Sequence, residues 1–197
     1  MVCFFEDQIY DPVKLMLHNP ETQRYVANKV DHLIVDEAQD MNGIQIALLR
    51  ILAGTRAQVM LVGDEDQAIY DWRGAKPDYL IRGFEEDFTN AKRYTLPHTF
   101  RFGHELSLAA SHLITHNANR NPKISISAEG TPRTRIHRLG LALGLTGIGE
   151  HIERVLAEGT PPDDIAVLVR TYSLSVSIEL ELHQAGVPYY VYGRPPL

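Results

Sequence analysis

Short apolar runs alternate with stretches of helical period along most of this 197-residue chain. HLIVD (32–36), AQVMLVG (57–63), RYTL (93–96), TRIHRL (134–139), DIAVLVR (164–170) and PYYVYG (188–193) predict strands, each a brief apolar or alternating run bounded by polar or turn-forming residues. Between them, IQIALLRILAG has apolar residues at Ile44, Ile46, Ala47, Leu48, Ile51 and Leu52 and sets Gly54 to end the helix. KPDYLIRGFEEDF, HELSLAASHLITHN, GIGEHIERVLAEG and SLSVSIELELHQAG predict further helices, the last two closing on Gly159 and Gly186. Strands alternating with helices predict an α/β fold, a parallel sheet with flanking helices.

The strand RYTL and the change of register at TLPHTFRFG place a domain seam near Pro97, giving a first part at 1–97 and a second at 98–197. Residues 117–130, NANRNPKISISAEG, are polar and turn-rich and predict a surface connection. LGLALGLTGIG repeats Gly and Leu too briefly for a repeat architecture. Pro195 and Pro196 block extension of a strand or helix at YGRPPL, so a sheet lacking later strands is expected.

Composition narrows the setting. The chain is 44% hydrophobic and 22% charged, with a formal net charge of -6 and a sequence pI near 5.8. Such a chain repels polyanions in bulk, and contact with nucleic acid requires a local basic or stacking surface. The single cysteine, Cys3, rules out an internal disulfide framework. No long apolar run and no basic, cleavable leader are present, so a cytoplasmic protein is expected.

Candidate chemistry sits at strand ends. In LIVDEAQD the apolar run leads into Asp36 and Glu37. One carboxylate at the carboxyl edge of a parallel strand can hold Mg²⁺ while its neighbour orients or deprotonates a water. The alternative is that Asp36, Glu37 and Asp40 cap the following helix and complement its positive end. A second strand end, VMLVGDEDQAIYDWRGA, brings Gly63, Asp64, Asp66 and Gln67 to the edge where open α/β sheets bind ligands. Gln67 can both donate to and accept from a phosphate oxygen or water. Tyr70, Trp72 and Arg73 follow, of the kind that stacks on unpaired bases and touches phosphates, although an isolated Tyr and Trp would first be read as core residues.

VDEAQD (35–40) and GDEDQAIYDWRGA (63–75) resemble the second and third motifs of superfamily 1 helicases of the UvrD/Rep type, in order, in spacing and in the apolar strand before each. TLPHTFRFGHEL (95–106) resembles the fourth motif, with Phe100-Arg101 where the family has Tyr-Arg. Residues 164–193 resemble the segment that follows. The resemblance implies parts of two RecA-like domains of the P-loop NTPase fold and an ATP-dependent DNA helicase or translocase moving 3′ to 5′. It assigns Asp36 to Mg²⁺, Glu37 to the base for water and Gln67 to the γ-phosphate. It makes Arg101 an arginine finger reaching from the second domain, and it gives Tyr70, Trp72 and Arg73 to single-stranded DNA. ATP and Mg²⁺ are the implied cofactors, and single-stranded DNA is the implied partner.

One expected part is missing. No G-x-x-x-x-G-K-[ST] loop occurs, and no Gly precedes a Lys. The chain therefore reads as a middle slice of a longer motor, with the missing segments supplied in cis or in trans and with little or no ATPase activity expected of it alone. Two alternatives stand beside this: a non-catalytic DNA- or partner-binding fragment, and a metal-dependent phosphohydrolase or nuclease built on DEAQD and GDED. His112 and His116 share one helical face but lack the Glu of a HExxH zinc site, and a solvated face explains them. RTRIHR (133–138) could touch a nucleic-acid backbone, and a solvated strand face explains it as well.

Overall fold

The computed structural model describes residues 7–27, 29–138 and 147–193. In chain order the elements are α1 (Asp7–His18), α2 (Pro20–Ala27), β1 (His32–Val35), α3 (Gly43–Ala53), β2 (Gln58–Leu61), α4 (Phe84–Asp87), β3 (His98–Thr99), α5 (His104–Ile114), β4 (Ile126–Ser127), α6 (Ile148–Ala157) and α7 (Ser175–Gln184), joined by short 3-10 turns. The fold is mixed α/β. Among the described residues the strands form two small parallel sheets, β1 with β2 and β3 with β4.

Each parallel pair is bridged by a helix, as parallel strands require a long crossover. Between β1 and β2 that helix is α3. Asn42 caps it by accepting from the backbone N–H groups of Ile44 and Gln45, while the Gln45 side chain accepts from the Asn42 N–H. This reciprocal box satisfies donors that the first turn would otherwise leave open. Gly54 closes the helix at φ 52°, a backbone that favours glycine. α3 buries Ile46 and Leu49 with Ala38, Met41 and Tyr79, against Leu33, Val35, Val59 and Leu61 of the sheet. Another face of α3 buries Ile51 with Val13 and Met16 of α1.

The chain divides into two compact units, Met1–Thr134 and Arg135–Leu197. Both sheets belong to the first, and Pro97, where a seam is expected, falls between them. In the second unit, Ile152 of α6 meets Ile178 and Leu182 of α7, with Ile165, Val187 and Tyr189 against them. Gly149 lets α6 approach α7 closely: a Cβ there would lie 3.0 Å from the Glu181 Cβ.

The strand expectations need correction. HLIVD and AQVMLVG form β1 and β2, but RYTL, DIAVLVR and PYYVYG form no ladder, and neither does 134–138. In 188–193 the alternation marks which side is covered, not a hydrogen-bonded neighbour, whereas 93–96 is exposed throughout and 164–170 is exposed except at Ile165. Val187 and Tyr189 pack inward while Tyr190 and Tyr192 stay exposed, yet no described strand lies beside them. A strand exists only where another backbone takes up its N–H and C=O groups. Of the six expected strands two form ladders among the described residues, and two short strands, β3 and β4, arise where none was expected. KPDYLIRGFEEDF is helical in two pieces, a π turn at Tyr79–Gly83 followed by α4. Cys3, most of the Gly-Leu stretch (139–146) and the closing RPPL lie outside the described residues.

Candidate functional site

β1 ends at Val35, and the chain then turns sharply. Asp36 accepts from the Glu37 N–H through Oδ1 at 2.9 Å. Glu37 itself sits at φ 51°, ψ 41°, the one non-glycine residue with positive φ among those described. A left-handed backbone costs an ordinary L-residue about 1–2 kcal/mol, and such strain gathers where geometry serves a site. Both carboxylates are exposed.

The strain is held by Gln39, which is 2% exposed. Its Nε2 donates to Glu37 Oε2 at 2.7 Å, and its Oε1 accepts from the Asp64 N–H at 3.0 Å. One buried amide therefore joins the ends of β1 and β2. Gly63 makes room for it, since a Cβ there would stand 2.6 Å from Gln39 Oε1. The Ala38 N–H donates to Val62 C=O at 2.9 Å, tying the same strand ends through the backbone.

After β2 the chain forms a short turn at Glu65–Gln67, capped by Asp64, whose Oδ1 accepts from the Asp66 N–H at 3.1 Å. Gln67 is exposed and donates through Nε2 to Asp64 Oδ2 at 2.8 Å. Residues 64–66 present three carboxylates in a row, and their partners come from the connection after α5. Lys123 Nζ lies 2.7 Å from Asp64 Oδ1 and 2.5 Å from Glu65 Oε2. Arg120 holds both Asp66 oxygens, at 2.9 and 2.7 Å, and the Asn121 N–H donates to Glu65 Oε1 at 2.8 Å. Burial pushes the Asp64 and Glu65 carboxyls up, but their hydrogen bonds outweigh it and hold both below the ordinary range. Burial likewise pulls the Lys123 ammonium down, and its bonds to Asp64 and Glu65 hold it above its ordinary value.

Tyr70, Trp72 and Arg73 come together next. The two rings meet edge to face at 6.3 Å, and the Arg73 guanidinium lies 5.0 Å from the Tyr70 ring and 4.6 Å from that of Trp72. Trp72 is 74% exposed, so it is no core residue. An antiparallel bridge between Ala75 and Asn42, with the Lys76 N–H on Met41 C=O at 2.8 Å, fixes this cluster to the segment just after Gln39. Arg101 follows β3, exposed; its backbone N–H donates to Thr99 Oγ1 at 3.3 Å, and no hydrogen bond or ion pair joins its guanidinium to Asp36, Glu37 or Gln67.

The structure thus links Glu37 to the Asp64–Gln67 turn through Gln39, and groups Tyr70, Trp72 and Arg73. It leaves Arg101 apart from both. Sequence reasoning missed Gln39, Arg120 and Lys123. The reading of 117–130 as a surface connection is corrected in part, because this stretch carries the cations that neutralise a buried acid turn. Two cations three residues apart, opposite a run of three acids, was the available signal.

An exposed carboxylate of Asp36 with one oxygen engaged by the Glu37 N–H suits a hard cation that keeps most of its waters. Among the described residues no three of His, Cys, Asp and Glu gather as metal ligands. His112 on α5 and His116 in the turn just beyond it are both exposed, their rings 5.3 Å apart. Arg133 is engaged by Glu105 at 2.7 Å.

Residues 3–89 match the UvrD/REP helicase N-terminal domain. Over most of its length the chain is similar to ATP-dependent DNA helicases of the UvrD/Rep type. It is 34% identical over 197 residues to the ATP-dependent DNA helicase Rep of Escherichia coli K12, covering 98% of this chain and 29% of that protein. It is 33% identical over 182 residues to DNA helicase II of the same organism, covering 91% and 25%. To the ATP-dependent DNA helicase PcrA of Staphylococcus epidermidis it is 31% identical over 194 residues, covering 96% and 26%. The chain thus spans about a quarter of the length of these relatives. No helix among the described residues is long and apolar enough to cross a membrane.

Proposed function

We propose that this chain contributes the nucleotide-facing and DNA-facing surfaces of an ATP-dependent DNA helicase or translocase that moves 3′ to 5′ on single strands. In this reading the β1–α3–β2 unit belongs to one RecA-like domain and the β3–α5–β4 unit opens a second, with the seam near Pro97. Asp36 would hold Mg²⁺, which when bound neutralises phosphate charge. Glu37 would accept the proton of the attacking water, and Gln67 would contact the γ-phosphate. Arg101, its guanidinium unengaged by those groups, would serve as the arginine finger once the second domain closes. Tyr70, Trp72 and Arg73 would take single-stranded DNA by stacking and phosphate contact.

The observation that carries this reading is the Gln39 amide between Glu37 and Asp64. It ties the hydrolytic carboxylate to the turn bearing Gln67, and the Asn42–Ala75 bridge ties the same segment to the aromatic cluster. A change at the phosphate then has a short physical route to the DNA contacts, as coupling through two linked elements requires.

The test uses Mn²⁺ in place of Mg²⁺ with ATP. Paramagnetic broadening should strike the Asp36 and Glu37 backbone amides first, and Asp36→Asn should remove it. Equal broadening at exposed carboxylates elsewhere, such as Asp71 and Glu86, would contradict the assignment.

A further inference from the structure

Glu65 has a side chain only 3% exposed, and that of Asp66 is 13% exposed. Buried carboxylates persist in charged form only when paired and hydrogen-bonded. Three adjacent acids in one turn would repel one another, and this turn keeps its shape because Lys123 reaches all three, at 2.7, 2.5 and 3.8 Å. Arg120 adds a two-pronged grip on Asp66, the geometry in which a guanidinium fixes a carboxylate most firmly. Its terminal nitrogen also donates to Lys123 C=O at 2.7 Å, so the two cations are set relative to each other.

The Asp64 carboxylate is shared. Lys123 takes one oxygen, and Gln67 donates to the other. We propose that Lys123, braced by Arg120, is a positioning residue for Gln67: by fixing the Asp64 carboxylate it sets where the Gln67 amide stands. Without the ammonium, Asp64 would rotate away from its acidic neighbours and release Gln67. Lys123 and Asp64 lie on either side of Pro97, so movement at the seam proposed there would be felt at Gln67. The proposal rests on the reading of Gln67 as the phosphate-contacting residue.

The test is the side-chain amide resonance of Gln67 in the whole 197-residue chain, assigned by its loss in Gln67→Leu. Lys123→Met should shift this resonance to the position of an exposed glutamine such as Gln58. The Gln39 side-chain amide and the backbone amides of α3 should stay in place, and Lys123→Arg should restore Gln67. If Lys123→Met unfolds the unit, Asp64→Asn carries the test, because it removes the shared charge while preserving shape. A Gln67 amide unmoved in the folded variant, or a shift no larger than that of Gln39, overturns the proposal. Titration with Mg²⁺ and ATP separates this from the underlying reading: a resonance that responds to Lys123→Met but not to nucleotide keeps the clamp and rejects the phosphate contact.

Discussion

Gln39 shows how one side chain can hold two strand ends together. Its amide is fully enclosed, and both of its polar ends are used, by Glu37 and by the Asp64 N–H. Gln39→Ala should lower stability by about 1–3 kcal/mol, the cost of leaving such partners unsatisfied, measured by urea denaturation. Gly63→Ala should be destabilising by about 1–3 kcal/mol as well, because the new methyl would overlap the Gln39 oxygen and the Ala38 nitrogen. Gly43→Ala is the matched control: a Cβ there meets nothing within 4 Å, and alanine in place of glycine in a helix should leave stability unchanged or raise it by up to about 1 kcal/mol. Asp36, Glu37 and Gln67 were legible in the sequence because each stands just beyond an apolar strand. Gln39 was not, since only the fold brings the second strand end to within a hydrogen bond of it.

The elements near the site depend on charge as much as on apolar burial. The native values of Asp64 and Glu65 are depressed, so their contribution to stability is fully present above the ordinary carboxylate range and is lost as pH falls through the depressed values. Lys123 is raised, so its contribution is present below its ordinary value and is lost only as strongly alkaline pH passes the native one. The groups facing one another in this clamp are Asp64, Glu65, Asp66, Arg120 and Lys123. Lys123→Met should therefore remove part of the acid limb of the stability profile of the first unit, and an unchanged limb would show that these pairs do not form in solution. In the second unit, Leu182→Ala should cost about 2–5 kcal/mol, because it empties the contact among Ile152, Ile178 and Leu182. Helices such as α3, α5, α6 and α7 were legible because their apolar period, and in several cases a closing glycine, is local information. The segments at 93–96, 164–170 and 188–193 have strand-like alternation, but a ladder depends on a neighbour that alternation cannot specify.

At the scale of the whole molecule, a net charge of -6 does not draw the chain to DNA. Under the proposed function, binding would come from a local surface, and the cluster of Tyr70, Trp72 and Arg73, exposed at Trp72 and anchored beside the Glu37 turn, is the candidate. Tyr70→Ala should weaken a single-stranded oligonucleotide by about 1–3 kcal/mol, the usual worth of one stacked base, and added salt should weaken it further by counterion competition. Trp72 is the only tryptophan in the chain, which makes it a built-in reporter. The most direct measurement is its fluorescence during titration with single-stranded oligothymidine. The account predicts saturable quenching that weakens in Arg73→Ala and with rising salt, and that a duplex of the same length does not reproduce. Unquenched Trp72 at oligonucleotide concentrations where anisotropy reports binding, or no binding at all, would contradict it.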